Sequence, residues 1–175
     1  MKKTIIISCL LLSSLGMIAQ EKPLFGYGIS SDFLSVPLRA QSLVTNSTNV
    51  YFTCLLNERL NFRLGFDGRM VKDVNTKKYD HLSGLLLGVG YTILHDQPRN
   101  FTTELALAAS NGFDEFSTFM NYHTDLGLRI MMFKSFYLGT GLRFVHDEAA
   151  SFLTVPQNSY NWYLQMGMQF YFGRR

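Results

Sequence analysis

Histidines beside carboxylates are the residues of this chain best suited to acid–base or nucleophilic chemistry. His123 and Asp125 lie two residues apart, so they share one face if the segment is a strand. A second group, His146-Asp147-Glu148, is followed by Ser151. A nucleophile needs a base within hydrogen-bond reach, and that base needs an orienting third group. No serine is spaced to complete His123 and Asp125, so catalysis is an alternative rather than the main interpretation.

The sequence gives no support for a metal or a cofactor. The four histidines are scattered, and no Cys/His spacing resembles a zinc site. Gly88-Val89-Gly90 and Gly139-Thr140-Gly141 lack the following helix that a phosphate-binding loop requires. Beyond residue 19 the single cysteine is Cys54, which excludes an intramolecular disulfide there. We therefore predict a chain with no metal, no cofactor and no disulfide.

The elements that must position these side chains are strands. Eight segments alternate apolar and polar residues with a period of two, the pattern of a strand with two different faces. They span residues 24–34, 48–56, 60–71, 80–94, 101–110, 119–132, 136–146 and 159–172. Most exceed the roughly five or six residues of a soluble strand and suit the roughly nine to eleven of a tilted membrane strand. Short connectors alternate with longer polar ones at 35–47, 72–79, 111–118 and 147–158.

The composition of the polar face indicates whether that face meets bulk water or lines the lumen of a barrel. In a soluble barrel the polar face meets water and is rich in charged residues. Here it is rich in glycine, for example at Gly65, Gly127 and Gly167. Glycine weakens an exposed strand, whereas inside a narrow barrel it makes room for bulky neighbours. We therefore predict an all-β fold: an eight-stranded antiparallel up-and-down transmembrane β-barrel with its polar face in the lumen.

Charges in so narrow a lumen must pair, because an unpaired buried charge is costly. The predicted lumen network consists of Arg63, Asp67, Glu104, His123, Asp125, Arg129 and Arg143. We expect its arginines, with Glu104 and Asp125, to form one ion-pair network that plugs the barrel. The predicted lipid-facing and girdle residues are Phe62, Phe136, Trp162, Phe170 and Phe172.

The N-terminus has the layout of a secretory signal peptide. Lys2 and Lys3 precede an apolar stretch at 4–12 and small residues at 13–19. We expect residues 1–19 to be removed, which leaves one domain over 20–175. That domain keeps 14 of the 16 basic residues against 13 acidic ones. Near-neutral charge argues against nucleic-acid binding, which calls for a basic patch.

The signal peptide, the eight alternating strands and the terminal aromatic-x-aromatic Phe170-Tyr171-Phe172 resemble small outer-membrane β-barrel proteins. The similarity is to OmpA/OmpX-like eight-stranded barrels and to the "outer membrane protein beta-barrel domain" chains of Bacteroidota. The end of the signal, Ile18-Ala19-Gln20, is similar to signals of that phylum. The resemblance implies a Gram-negative outer membrane and assembly by its insertion machinery. Many such proteins end on an aromatic residue, whereas here Gly173-Arg174-Arg175 follow.

The function expected from these patterns is structural or surface-presenting, without catalysis. Outer-membrane lipid surrounds the barrel, and the loops at 35–47, 72–79, 111–118 and 147–158 are available to an unknown surface partner. Three alternatives stay open at this point. They are a narrow porin-like channel for ions or small solutes, an outer-membrane lipid-modifying enzyme, and a soluble lipocalin-like barrel.

Overall fold

The computed structural model describes residues 24–38, 42–56, 59–96, 101–113, 121–132, 135–147, 153 and 157–172. The predicted signal peptide and the C-terminal Arg174 and Arg175 lie outside these residues. The strands are β1 (Leu24–Pro37), β2 (Leu43–Leu55), β3 (Leu60–Asp73), β4 (Tyr79–Asp96), β5 (Phe101–Phe113), β6 (Asn121–Met132), β7 (Phe136–Asp147) and β8 (Gln157–Phe172). None of the described residues belongs to a helix long and apolar enough to cross a membrane.

The eight strands form one closed antiparallel barrel in chain order. Each strand pairs with its neighbours in sequence, and β8 pairs with β1 to close the wall. Closure removes the free strand edges that an open sheet would expose. The predicted eight-stranded antiparallel up-and-down barrel fold is confirmed.

The two ends of the barrel differ in what they carry. Leu24 and Phe172 lie at one end together with the connectors at 56–59, 97–100 and 133–135. The connectors at 38–42, 74–78, 114–120 and 148–156 lie at the other. We call these the termini end and the loop end.

The strands extend further toward the loop end than the sequence pattern indicated. β1 continues to Pro37 and β2 begins at Leu43, so much of the expected loop at 35–47 belongs to the wall. Likewise β5 continues to Phe113, into the expected loop at 111–118. The expected bounds 72–79 and 147–158 also shorten to 74–78 and 148–156. The bounds at 35–47 were wrong because polar residues such as Thr45 and Ser47, which are buried in the polar lumen, give β2 the composition of a loop.

Following the paired residues around the barrel gives its stagger. A line that starts at Phe25 on β1 returns to β1 at Val36, eleven residues further along. The residues between them are Cys54, Phe62, Val89, Leu107, Leu126, Leu142 and Trp162. One of the eleven is the extra residue of a β-bulge between Asp32 and Leu34. Without the bulge residue the register shift around the barrel is an even number, so residues that face outward pair with residues that also face outward. A register shift of this kind tilts the strands by about 35–45° relative to the barrel axis.

Burial alternates along the strands with apolar side chains outside and charges inside. Phe52 and Phe66 face outward and are 72% and 70% exposed. Arg143 and Asp67 face inward and are at most 1% exposed. This polarity is the reverse of the one expected for a water-soluble barrel.

Candidate functional site in the barrel interior

Arg143 lies at the centre of a group of charges near the loop end. This loop-end charge cluster consists of Asp32, Asp67, Arg69, His123, Asp125 and Arg143. Nε and Nη2 of Arg143 donate to the two carboxylate oxygens of Asp125, both at 2.7 Å. Such two-pronged pairs are among the strongest hydrogen bonds in proteins. Nη1 donates to Asp32 and to the carbonyl of Thr45, so one guanidinium links four strands.

Two of these lumen side chains replace part of the wall between β1 and β2. The paired register of these strands stops at Ser31, although both strands continue toward the loop end. Beyond it the amide of Ser47 donates to Oδ2 of Asp32 at 2.8 Å. The carbonyl of Thr45 accepts from Nη1 of Arg143 at 3.1 Å. Buried backbone groups need partners, and here side chains supply them. We call this part of the β1–β2 boundary the seam.

His123 lies between two carboxylates of the same cluster. Its Nδ1 is 3.5 Å from Oδ2 of Asp67, and its Nε2 is 3.7 Å from Oδ1 of Asp125. Asp67 also contacts Nε of Arg69 at 3.0 Å and accepts a hydrogen bond from the hydroxyl of Ser47. The imidazole is 1% exposed. It therefore has no access to a substrate outside the barrel.

Three tyrosines, Tyr51, Tyr137 and Tyr163, fill the lumen between the loop-end cluster and a second group of charges. The hydroxyls of Tyr51 and Tyr137 are 3.2 Å apart, and Tyr51 also donates to Gln169 at 3.2 Å. The guanidinium-to-ring distances are 5.8 Å for Arg63 and Tyr51, 5.0 Å for Arg129 and Tyr137, and 4.8 Å for Arg143 and Tyr163. A cation over an aromatic face at these distances is stabilised by the ring.

The tyrosine rings fit because glycines face them. A Cβ atom added to Gly28 would lie 2.5 Å from Cζ of Tyr51. One added to Gly167 would lie 2.5 Å from Cζ of Tyr137. Real Cβ atoms do not approach other atoms so closely, so any larger residue would displace the rings. The prediction that lumen glycines make room for bulky neighbours is confirmed.

The second group of charges lies near the termini end and consists of Arg63, Glu104 and Arg129. In this termini-end charge cluster Nη2 of Arg63 forms an ion pair with Oε1 of Glu104. Asn61 donates to Oε2 of the same carboxylate at 3.2 Å. Nη1 of Arg129 lies further away, at 3.9 Å from Oε1. A Cβ added to Gly90 would lie 2.3 Å from the carboxyl carbon of Glu104, so a side chain at this position would displace the carboxylate.

An apolar group, which we call the apolar cap, lies at the loop end of β2, β3 and β4. Leu43, Val71 and Leu82 are buried against one another, and Leu153 from the β7–β8 connector packs on them. On β3, Val71 follows Arg69 toward the loop end. The apolar cap therefore lies further toward the loop end than Arg69 of the loop-end charge cluster.

Every residue of the predicted lumen network is directed into the barrel and is at most 7% exposed. These residues are Arg63, Asp67, Glu104, His123, Asp125, Arg129 and Arg143. They form two clusters separated by tyrosines, rather than the single network expected. Sequence reasoning missed Asp32, the second carboxylate on Arg143. Its period-two spacing from Gly28 and Gly26 was the signal that could have found it.

The predicted girdle residues lie on the outer surface to different extents. Phe62, Phe170 and Phe172 are exposed near the termini end. Phe136 and Trp162 are half-buried on the outside of β7 and β8. Aromatic rings also cluster outside near the loop end, where Tyr122, Phe144 and Tyr160 contact across β6, β7 and β8.

The second candidate for chemistry, His146, belongs to this outer aromatic cluster. Its ring stacks on Tyr122 with centroids 5.0 Å apart, and its Nδ1 is 2.7 Å from Oδ1 of Asn158. Glu148 and Ser151 lie outside the described residues. Within the described ranges, no group of three or more His, Cys, Asp or Glu is placed to hold a metal ion. The interactions in the barrel interior are thus mainly electrostatic, between arginine and carboxylate side chains that lie beside packed tyrosine rings.

No family model and no curated protein sequence matches the chain. Among solved structures it is similar to the N-terminal β-barrel domain of Pseudomonas aeruginosa OprF. The TM-score is 0.47 at 12% identity, over 84% of this chain and 97% of that one. It is also similar to Ail, the attachment invasion locus protein of Yersinia pestis, solved with the heparin analogue sucrose octasulfate. Here the TM-score is 0.30 at 11% identity, over 85% of this chain and 96% of that one. Neither likeness bears on what this chain does.

Proposed function

We propose that this chain is a structural, surface-presenting protein of a bacterial outer membrane, with a barrel that spans the membrane and does not conduct. The observation that carries the proposal is the polarity of the wall. Leu64, Phe66 and Leu87 on neighbouring strands are each more than half exposed and form part of a continuous apolar surface. Soluble monomers rarely expose an apolar patch larger than a few hundred Å².

A bilayer removes the cost of that surface. Hydrocarbon surrounds the apolar band, while the backbone finds its partners in the closed wall and, at the seam, in the lumen side chains of Asp32 and Arg143. Aromatic residues near both ends of the strands suit the two interfaces of a membrane. On the outer surface, Phe25, Phe62 and Phe172 lie near the termini end. Phe144 and Tyr160 lie near the loop end. The same polarity disfavours a soluble lipocalin-like barrel.

The filled lumen favours a structural role over a channel. Paired charges and tyrosine rings occupy the interior, and the apolar cap adds packed side chains at the loop end. An eight-stranded barrel has just enough interior volume for side chains. The lipid-modifying enzyme is disfavoured as well, because His123 is enclosed and His146 is committed to Tyr122 and Asn158.

The proposed orientation puts the loop end outside the cell and both termini in the periplasm. The connectors at 38–42, 74–78, 114–120 and 148–156 are then the surface available to a partner. Phe170-Tyr171-Phe172 is the segment offered to the insertion machinery of the outer membrane during assembly.

Membrane extraction and conductance measurements test the proposal. We expect the protein to stay in membranes through a carbonate wash and to migrate faster on a gel unheated than heated. In planar bilayers we expect no steps of conductance, and liposomes carrying it should not take up small sugars. Release by carbonate would contradict the membrane assignment. Porin-like sugar uptake would contradict the closed lumen.

A further inference from the structure

The two charge clusters of the lumen carry opposite excess charges. Among the described residues the loop-end cluster has three carboxylates and two arginines, with His123 between two of the carboxylates. The termini-end cluster has two arginines, Arg63 and Arg129, and one carboxylate, Glu104. Asp125, the next carboxylate along β6, is already held by two hydrogen bonds from Arg143. The termini-end cluster is therefore one negative charge short of local balance.

The same cluster has buried donors without acceptors. Nε and Nη1 of Arg63 and Nη1 of Arg129 are buried and have no hydrogen-bond partner within the described part of the chain. Arg63 and Arg129 are 4% and 7% exposed. A buried N–H that lacks an acceptor destabilises the fold, and it does so more strongly when it belongs to a charged group. Two adjacent guanidinium groups thus offer three such donors around one shared carboxylate.

The surroundings of these donors suit a small anion that enters from the termini end. Oε1 of Glu104 forms an ion pair with Nη2 of Arg63 and lies 3.9 Å from Nη1 of Arg129, so both guanidinium groups lie beside one carboxylate. Toward the termini end the lumen is lined by polar side chains, including Thr53, Asn61 and Thr92. Toward the loop end the lumen holds the tyrosines and the apolar cap. Side chains fill most of the interior of an eight-stranded barrel, so a bound anion must be small.

We propose that the termini-end charge cluster binds one small monovalent anion of the size of chloride, held by the free N–H groups of Arg63 and Arg129. The anion supplies the missing acceptor and the missing negative charge together. The anion site depends only on contacts inside the lumen, so it does not rest on the proposed membrane location of the barrel.

Anomalous diffraction from crystals of the refolded protein grown in bromide tests the site directly. We expect a bromide peak in contact with the guanidinium groups of Arg63 and Arg129. A density feature at that position without anomalous signal would identify water as the acceptor and overturn the proposal.

Thermal unfolding in detergent provides a test in solution. At constant ionic strength, replacing gluconate by chloride should raise the melting temperature of the wild-type barrel. Arg129→Met should abolish this chloride dependence, whereas Lys72→Met, which removes an exposed cation at the loop end of β3, should keep it. Equal melting temperatures of the wild type in both salts would overturn the proposal.

Glu104→Gln keeps the test decisive if Arg129→Met fails to fold. This substitution removes the carboxylate that competes with the anion while it retains an amide of the same shape. Chloride should then bind roughly tenfold tighter, because the neighbouring negative charge that repels the anion has been removed. An unchanged or weaker chloride dependence in Glu104→Gln would contradict the site.

Discussion

Tyr137 and Gly167 lie directly opposite each other on β7 and β8, and the tyrosine ring occupies the space that any side chain at position 167 would need. A Cβ added to Gly167 would lie 2.5 Å from Cζ of Tyr137 and 2.7 Å from the carbonyl oxygen of Ile29. The ring has little freedom to move, because it is 1% exposed and its hydroxyl contacts that of Tyr51. The glycine is therefore part of how the lumen is packed.

Gly167→Ala should destabilise the barrel by about 1–3 kcal/mol, the usual cost of overpacking. Urea unfolding in detergent, followed by the shift between folded and unfolded bands on a gel, measures the change. The matched control is Gly68→Ala on the outside of β3, where the nearest atom to an added Cβ is 3.7 Å away. Equal effects of the two substitutions would show that packing against Tyr137 is not the cause.

Arg143→Met should destabilise the barrel by about 3–5 kcal/mol, because it leaves the carboxylates of Asp32 and Asp125 buried without their cation. Adding Asp125→Asn to this variant should restore part of the lost stability, since one of the two unpaired buried carboxylates is removed. Urea midpoints of the single and double variants measure both effects. A double variant less stable than Arg143→Met alone would contradict the pairing.

Asp32→Ala should open the seam before it unfolds the rest of the wall. The substitution removes the acceptor of the Ser47 amide, so this amide should exchange with solvent deuterium faster than in the wild type. NMR of the barrel in detergent measures that rate. Asp73→Ala is the control, because Asp73 accepts from the amide of Asn75 in an exposed turn. Unchanged exchange at Ser47 in Asp32→Ala would contradict the assigned role.

Leu126→Arg should reduce stability by about 2–4 kcal/mol if the outer face meets hydrocarbon near its midplane. Leu126 is 53% exposed and pairs with Leu107 and Leu142 on the outer surface of β5 and β7. On a soluble barrel the same change would have little effect. Asn75→Arg, in the exposed β3–β4 turn, should be neutral in either setting. Measurement in lipid vesicles therefore distinguishes a lipid-facing wall from a water-facing one.

The number of strands and the direction of their faces could be predicted because both depend on local alternation. Each pattern, such as Leu64 and Phe66 against Arg63 and Asp67, is contained within one strand. Closure of the barrel follows once every strand is long and two-faced. The assignment of glycines to the lumen followed from their cost on an exposed surface, and the contact between Gly28 and Tyr51 supports that reasoning.

The pairing inside the lumen could not be predicted because it depends on register between distant strands. Asp32 and Arg143 are 111 residues apart, and they meet only because of the stagger of the closed wall. The separation of the charges into two clusters depends in turn on where Tyr51 and Tyr137 reach across the lumen. The loop bounds failed for a simpler reason: Thr45 and Ser47 suit a loop in composition, yet their side chains point into a polar interior.

The seam has a consequence for anyone who would engineer this barrel into a pore. Where two strands pair through their own backbone groups, the hydrogen bonds of the wall do not involve the side chains that fill the lumen. Here Asp32 and Arg143 belong to both, since they occupy the lumen and also complete the hydrogen bonding of β1 and β2. A hollow version must first restore backbone pairing between residues 32–37 and 43–47. Otherwise, widening the lumen would also remove hydrogen bonds that complete the β1–β2 boundary.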